Sequence, residues 1–270
     1  MTVSYAEVIG DPINHSKSPA VHGFWLRKLG IEAEYRAHHV QPEKLPGYIK
    51  KRQDDPSWRG CNVTLPHKVA VMDLVSDPGL VKDSIGAMNT IIRQKDGSLI
   101  GTNTDAAGFF APLANSDWKG AHAVVIGAGG AARAVLFALK QAGIENITIL
   151  ARNGLKASGV MMQSGLKGDI LSLDAALPNA DLLINTSPLG MVGQPELEVD
   201  LSPLPDHALV YDIVYTPLET NLLKAAKSRN LDIVDGLDMF IGQAALAFEF
   251  FFGQTPPMDH DEELRKLLTA

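Results

Sequence analysis

The chain has 270 residues, a length that fits one or two domains. Its 46% hydrophobic and 20% charged residues exclude a disordered chain, and 24 basic against 31 acidic residues, a net charge of −7, leave no broad basic surface for nucleic acid. The single cysteine, Cys61, excludes an intrachain disulfide framework and a four-cysteine zinc site.

The first hundred residues read as one α/β unit. Strands are expected at 3–9, 33–40, 60–63, 87–93 and 99–102, with helices between the earlier ones. Asp96-Gly97 signals a hairpin. A two-residue turn there pairs Lys95 with Ser98 and sets Asn89 opposite Thr104, whereas a longer loop shifts the register and still leaves Asn89 close to Asp105. Short polar clusters fall at the expected strand ends: His15-Ser16-Lys17-Ser18-Pro19, Asn62 to Lys68, Asn89-Thr90 and Asn103-Thr104-Asp105. Open α/β sheets bind ligands at such ends. Ser18, before Pro19 and an apolar 3.6-residue pattern, is expected to cap a helix, and a capped helix start also suits a carboxylate. Ser16 has no such duty. Thr64 and Pro66 suggest a helix start that places Lys68 in a first turn, where the helix dipole opposes its charge and favours proton transfer. Asp105 precedes a short helix expected at 106–111, so capping is its simplest role, and a partnership with Lys68 is the alternative.

A second unit begins with the strand Ala123-Val124-Val125-Ile126, which runs into Gly127-Ala128-Gly129-Gly130-Ala131-Ala132 and then a helix ending at Gly143. This strand–turn–helix setting is what gives a G-x-G-x-x-A pattern its meaning: the glycines admit a pyrophosphate and the helix N-terminus offers free N–H groups. The strand 146–150 ends at Ala151-Arg152-Asn153 with Lys156, where an NAD site would place an acid. A guanidinium there matches a 2′-phosphate, so NADP is favoured over the alternative of a solvated Arg–Lys pair. Further strands are expected at 170–173, 182–184, 208–211 and 231–234, with a helix opened by the capping box Thr216-Pro217-Leu218-Glu219. This alternation implies a doubly wound parallel sheet at 106–236. An apolar helix follows at 237–252 and a polar one at 259–268.

No serine-hydrolase elbow, phosphate-binding P-loop or H-E-x-x-H motif occurs, and His38-His39 alternate faces on a strand, so no metal is expected. The longest apolar run, 123–132, is too short to span a bilayer, and the opening residues lack signal-peptide character. A cytoplasmic protein without membrane or nucleic-acid partners is expected.

Six spaced motifs resemble the shikimate/quinate dehydrogenase family: Ser16-Lys17-Ser18-Pro19, Asn62 to Lys68, Gly86 to Thr90, Gly101 to Asp105, Gly127 to Ala132 and Asn185-Thr186-Ser187-Pro188-Leu189-Gly190-Met191. The resemblance implies two α/β domains. A substrate domain would comprise 1–105 plus 237–270, with the C-terminal helices packing back on it, and a Rossmann-type NADP-binding domain would comprise 106–236. It further implies catalysis by Lys68 and Asp105. Ser16 and Ser18 would hold a carboxylate near Tyr215, and Thr64, Asn89, Asp105 and Gln243 would bond ring hydroxyls. The cofactor would contact Gly127, Ala128, Gly129, Gly130, Ala131, Ala132, Arg152, Asn153, Lys156, Thr186, Ile213 and Gly236. The implied activity is reversible NADP-dependent interconversion of shikimate and 3-dehydroshikimate in aromatic amino-acid biosynthesis, by a monomer or homodimer. The alternatives are a quinate/shikimate dehydrogenase using NAD and a non-catalytic NAD(P)-binding regulatory paralogue. The chain departs from the family's usual residues at His22-Gly23, where Asn normally follows the histidine, and at Ala151-Arg152-Asn153, where Asn-Arg-Thr is usual.

Overall fold

The computed structural model describes residues 3–269. They divide into two compact units, one taking the chain up to Thr104 and again from Gln243, the other running from Asp105 to Gly242.

The first unit is built on a five-stranded sheet. Its strands are β1 (Ser4–Gly10), β2 (Ala33–His39), β3 (Trp58–Val63), β4 (Thr90–Arg93) and β5 (Leu99–Thr102), and its helices are α1 (Ser18–Lys28), α2 (Leu45–Gln53) and the single turn α3 (Val81–Ser84). The order is β2-β1-β3-β4-β5, with β1 parallel to both neighbours and β4 antiparallel to both of its own. β1 is buried from Tyr5 to Gly10, which is why Val8 and Ile9 follow one another without polar alternation. Glu7 is the exception, 1% exposed, and the Arg52 guanidinium of α2 meets both of its carboxylate oxygens at 2.9 and 3.2 Å. Such a pair ties α2 to the central strand, since losing either partner would leave a buried charge uncompensated.

The β4–β5 turn differs from the two-residue hairpin. Arg93 pairs with Leu99, and the Gln94 N–H bonds the Ser98 carbonyl, so the loop holds three residues, Lys95 to Gly97. Gly97 takes φ +85°, which lets the third residue close the turn. The register moves by one, so that Thr102 rather than Asn103 lies opposite Thr90. Asn89 remains bonded to Thr104 through its side chain.

The second unit carries α4 (Asp105–Phe110), β6 (His122–Ile126), α5 (Gly130–Gln141), β7 (Asn146–Ala151), α6 (Gly154–Ser164), β8 (Lys167–Ser172), β9 (Leu182–Asn185), β10 (Leu209–Asp212), α7 (Asn221–Ser228) and β11 (Asp232–Val234). The six strands are all parallel in the order β11-β10-β9-β6-β7-β8. Counted from β6, this is the 3-2-1-4-5-6 order of dinucleotide-binding sheets, with the switch point between β6 and β9. Val124, Ile126, Leu183 and Val210 from the sheet and Leu222, Leu223 and Ala226 from α7 share one core. The helix α7 starts four residues later than the capping box suggests. Thr220 caps it, its Oγ1 accepting from Leu223 N–H at 3.3 Å while donating to buried Asp212 at 2.7 Å. That carboxylate outcompetes the local signal at Thr216. α4 begins at Asp105 itself, one residue before its expected start.

A single helix, α8 (Gly236–Phe252), carries the chain from the second unit into the first, and α9 (Asp261–Thr269) follows. The compact division therefore falls inside a continuous helix at 242/243 rather than at its start. The later part of α8 fills the first unit's core: Phe248 packs edge-on to Trp25 at 5.5 Å, and Phe251 lies against Tyr35 at 6.3 Å. Gly60 makes room for this. Its φ is +148°, and a Cβ there would stand 2.1 Å from the Ile91 carbonyl oxygen and 2.8 Å from the Phe251 ring.

His22 of α1 is fully buried in the same core, its ring stacked 3.8 Å from that of Tyr35 at 2°. Neither ring nitrogen has a partner among the described residues. Burial lowers its pKa from 6.5 to about 3, so the folded protein keeps the imidazole neutral.

These contacts set two expectations for stability. Gly60→Ala should lower the unfolding free energy by about 2 kcal/mol or more, read from urea midpoints, because both φ and space oppose a methyl. An unchanged midpoint would contradict the packing described. Between pH 6.5 and about 3 the unfolded chain binds a proton at His22 that the folded one refuses, so stability falls as pH falls, by about 1.4 kcal/mol per unit from this group. His22→Phe keeps a stacked ring and removes that slope. Acid-unfolding limbs of equal steepness in the two proteins would refute the assignment.

Candidate active site

A buried chain of polar side chains runs from β2 past the end of β3 to the start of β4 and the residues after β5. Tyr35 of β2 donates its hydroxyl to Asn62 Oδ1 at 2.6 Å, and Asn62 Nδ2 donates to Thr90 Oγ1 at 3.0 Å. The Thr90 hydroxyl donates to Asn89 Oδ1 at 3.0 Å, the same oxygen that accepts the Thr104 N–H at 2.8 Å. Asn89 Nδ2 donates to Thr104 Oγ1 at 2.9 Å, and that hydroxyl lies 3.5 Å from Oε1 of Gln243 on α8. Each link satisfies a group that burial would otherwise penalise. The antiparallel β4 makes this possible, because it starts where β3 ends: the Asn89 carbonyl accepts the Val63 N–H at 2.7 Å.

Thr64 and Lys68 leave from that same point. The chain from Leu65 to Val69 is a run of turns, not an α-helix, so the helix dipole expected at Lys68 is not there. Its position is fixed differently. The Lys68 carbonyl accepts the Met88 N–H at 2.8 Å, which holds the lysine's backbone beside the residue before Asn89. Thr64 and Lys68 are half-buried, whereas Asn89 and Thr104 are buried. Asp105, 5% exposed, follows Thr104 directly in the chain.

The serine pair differs from expectation in a specific way. α1 begins at Ser18, with Lys17 in the capping position, and it is Ser16 Oγ that accepts the Ser18 N–H at 3.3 Å. Ser18 therefore does not have the capping role expected of it, and the Ser16 hydroxyl instead meets one free N–H at the helix start. Lys17 Nζ donates to the Leu268 carbonyl and so serves the docking of α9. Ser18 is buried and Ser16 half-buried.

In the second unit the glycine turn leads from β6 directly into α5. Gly127 follows β6 with φ +109°, and a Cβ on it would stand 2.8 Å from Thr186 Oγ1. Gly129 is the N-cap of α5, and a Cβ there would meet nothing within 4 Å, so the helix N-terminus faces open space. Gly130, Ala131 and Ala132 form the first turn of α5, with Ala132 fully buried against the sheet. Free N–H groups and open room suit a phosphate, so these residues fit a dinucleotide. Arg152 stands exposed just beyond β7 with Asn153, Gly154, Leu155 and Lys156. Asn153 caps α6 by accepting the Lys156 N–H at 2.9 Å, a structural duty beside any ligand contact. Thr186 Oγ1 donates to the Ile126 carbonyl at 2.7 Å. Gly236 is forced by space, since a Cβ would stand 2.4 Å from the Ile213 carbonyl oxygen.

Tyr215 stacks on Phe240 at 4.5 Å, and burial pushes its hydroxyl up to about 12, so it is a neutral donor throughout the physiological range. Sequence reasoning names Asn62, Thr90 and Thr104 only as members of polar clusters, and it misses Tyr35. That residue carried a signal, since a tyrosine turned inward on a strand needs a partner for its hydroxyl.

Three family models match the chain: the shikimate dehydrogenase substrate binding domain over residues 8–91, shikimate / quinate 5-dehydrogenase over 111–216, and the shikimate 5′-dehydrogenase C-terminal domain over 236–263. The curated shikimate dehydrogenase (NADP(+)) of Sphingopyxis alaskensis is 65% identical over 98% of this chain and 97% of its own length. Among solved structures, shikimate 5-dehydrogenase from Thermus thermophilus in complex with NADP(H) and shikimate is 36% identical with a TM-score of 0.86, covering 98% of this chain and 100% of that one. The ligand-free 5-ketofructose reductase of Gluconobacter sp. strain CHM43 is 29% identical with a TM-score of 0.87, covering 99% and 98%. The two folds match equally well, so the backbone alone does not select the substrate. Sequence identity and the family models do place the chain: it belongs to the shikimate/quinate 5-dehydrogenase family.

Proposed function

We propose that this protein is an NADP-dependent shikimate dehydrogenase of the cytoplasm, interconverting shikimate and 3-dehydroshikimate for aromatic amino-acid biosynthesis. The observation that carries the reading is the polar chain from Tyr35 to Gln243. It holds Asn89, Thr104 and Gln243 in one bonded group at the strand ends where Thr64 and Lys68 also emerge. A polyhydroxylated ring needs several fixed donors and acceptors facing one side, and backbone-anchored amides and hydroxyls supply them without large entropic loss on binding.

In this reading Lys68 Nζ takes the proton from the C3 hydroxyl of shikimate and returns it in the biosynthetic direction, with Asp105 as its partner. NADP, when bound, supplies the hydride acceptor. Ser16 and Ser18 hold the substrate carboxylate, helped by the neutral Tyr215 hydroxyl, which donates without adding negative charge. Thr64, Asn89, Asp105 and Gln243 orient the ring hydroxyls. The cofactor's pyrophosphate lies on Gly127 to Ala132, and its 2′-phosphate meets Arg152 and Lys156 beside Asn153. Thr186, Ile213 and Gly236 line the path at the ends of β9, β10 and β11. No carboxylate lies among residues 151–156, so nothing in that segment repels the 2′-phosphate.

Initial rates with shikimate or quinate, each with NADP and NAD, test the whole reading. Shikimate with NADP should be the fastest pair. Preference for quinate with NAD would move the chain to the other branch of its family, and no turnover by folded, cofactor-binding protein would make it a regulatory paralogue. Lys68→Met should lower kcat by roughly 10²–10⁴-fold while NADP still binds in a fluorescence titration. Full turnover in that variant would remove Lys68 from the chemistry. Arg152→Ala should raise the Kd for NADP by about tenfold or more and leave NAD nearly unchanged. Equal losses for both would show that Arg152 does not touch the 2′-phosphate.

A further inference from the structure

β6, β9 and β10 end in register. Ile126 pairs with Asn185, and Asn185 pairs with Asp212, so these three residues form the last row of the sheet across its switch point. The next residue on each strand is Gly127, Thr186 or Ile213, each still held by one backbone bond to a neighbouring strand. The Gly127 N–H donates to the Leu150 carbonyl, the Thr186 N–H to that of Ile126 and the Ile213 N–H to that of Asn185. The proposed cofactor contacts therefore begin one residue beyond the row.

Two of the three residues in that row are polar and fully buried, which is unusual for the centre of a parallel sheet. Asn185 Nδ2 donates to Asp212 Oδ1 at 2.9 Å. The other bonds of the pair all reach into the two loops that leave the row. Asn185 Oδ1 accepts the Ser187 N–H at 3.0 Å and the Ser187 hydroxyl at 2.7 Å, and Nδ2 also donates to the Leu189 carbonyl at 3.1 Å. Asp212 Oδ1 accepts the Val214 N–H at 3.0 Å, and Oδ2 accepts the Thr220 hydroxyl at 2.7 Å. The loop after β9 thus hangs on Asn185, the loop after β10 on Asp212, and the two are bonded to each other.

We propose that the buried Asn185–Asp212 pair is a positioning device for the cofactor, setting together the exits of the two loops that carry Thr186 and Ile213. The inference rests on the reading that those residues face NADP. A sheet held together by apolar contacts alone would leave each loop to find its own exit. The shared amide–carboxylate bond makes the placement of one loop depend on the other, because a shift of either breaks bonds in a buried, low-dielectric site where they are hard to replace. The same coupling explains the late start of α7, whose cap Thr220 donates to Asp212 alongside Asn185 and Val214. The proposed reaction uses neither side chain of the pair, and neither reaches the surface.

Asp212→Asn keeps the shape and removes the carboxylate on which those donors converge. Measured on the full-length enzyme beside the wild type, this variant should raise the NADP Kd by about tenfold in calorimetric titration and raise the KM for NADP in parallel. The KM for shikimate should stay within about twofold. Should it fold poorly, Thr220→Val removes one donor and should raise the NADP Kd by a few-fold with the same split. Unchanged NADP affinity in both variants, with only a lower Tm, would overturn the proposal and leave the pair a stability element. Equal rises in the constants for NADP and shikimate would overturn it too, since that is general loosening rather than positioning. If the wild type itself bound no NADP, the underlying cofactor reading would fail, an outcome separate from either of these.

Discussion

Burying polar groups at the ends of sheet strands is the constraint on which both units depend. A sheet that offers its carboxyl ends to a polar ligand must bring amides, hydroxyls and carboxylates to a place that its own core is trying to keep dry. Each such group then needs a partner from the protein. In the first unit the partners form a line from Tyr35 through Asn62, Thr90, Asn89 and Thr104 to Gln243. In the second they form the knot around Asn185 and Asp212. The side chains left half-exposed at the rims, among them Ser16, Thr64 and Lys68, stand beside buried ones that never meet solvent.

The two sheets meet this constraint with different topologies. The parallel sheet of the second unit obtains its opening from its strand order, because adjacent crossovers leave the switch point in opposite directions. The first unit is mixed. Its parallel strands β1, β2 and β3 continue into the antiparallel pair β4 and β5, which returns the chain to the end of β3 and brings Asn89 and Thr104 there together. A purely parallel sheet would have placed the start of β4 at the opposite end of the strands.

Much of this was legible in the residues. The run Gly127 to Ala132 needed no structure to be read, because a strand, a glycine turn and a helix leave little else that it could form. The α/β alternation was equally plain. What escaped was set by partners outside the local pattern. Thr216 and Thr220 both stand before α7, and the capping-box spacing favours the first. The buried carboxylate of Asp212 settles the contest for the second, and it lies on the preceding strand, where no capping rule looks. The serines show the same limit at shorter range: Ser18 stands where a cap is expected, yet the helical backbone angles of Lys17 put Ser18 inside the first turn and leave the helix without a side-chain cap. At Asp96-Gly97 the dipeptide announces a turn without stating its length, so the register was open by one residue. Thr64 and Pro66 are a plausible start signal for a helix through Lys68, yet the segment is a run of turns, and the bond from Met88 to the Lys68 carbonyl belongs to the approach to β4.

The path of α8 has a consequence for how the chain is made. The first unit is begun before the second but lacks Phe248 and Phe251, which pack on Trp25 and Tyr35, until the stretch from Gln243 onward has been added. During synthesis the second unit is complete in sequence while its predecessor still waits, with part of its core open. Of the two units, the one begun first is thus finished last, and apolar surface around Trp25 stays uncovered while the second is being made.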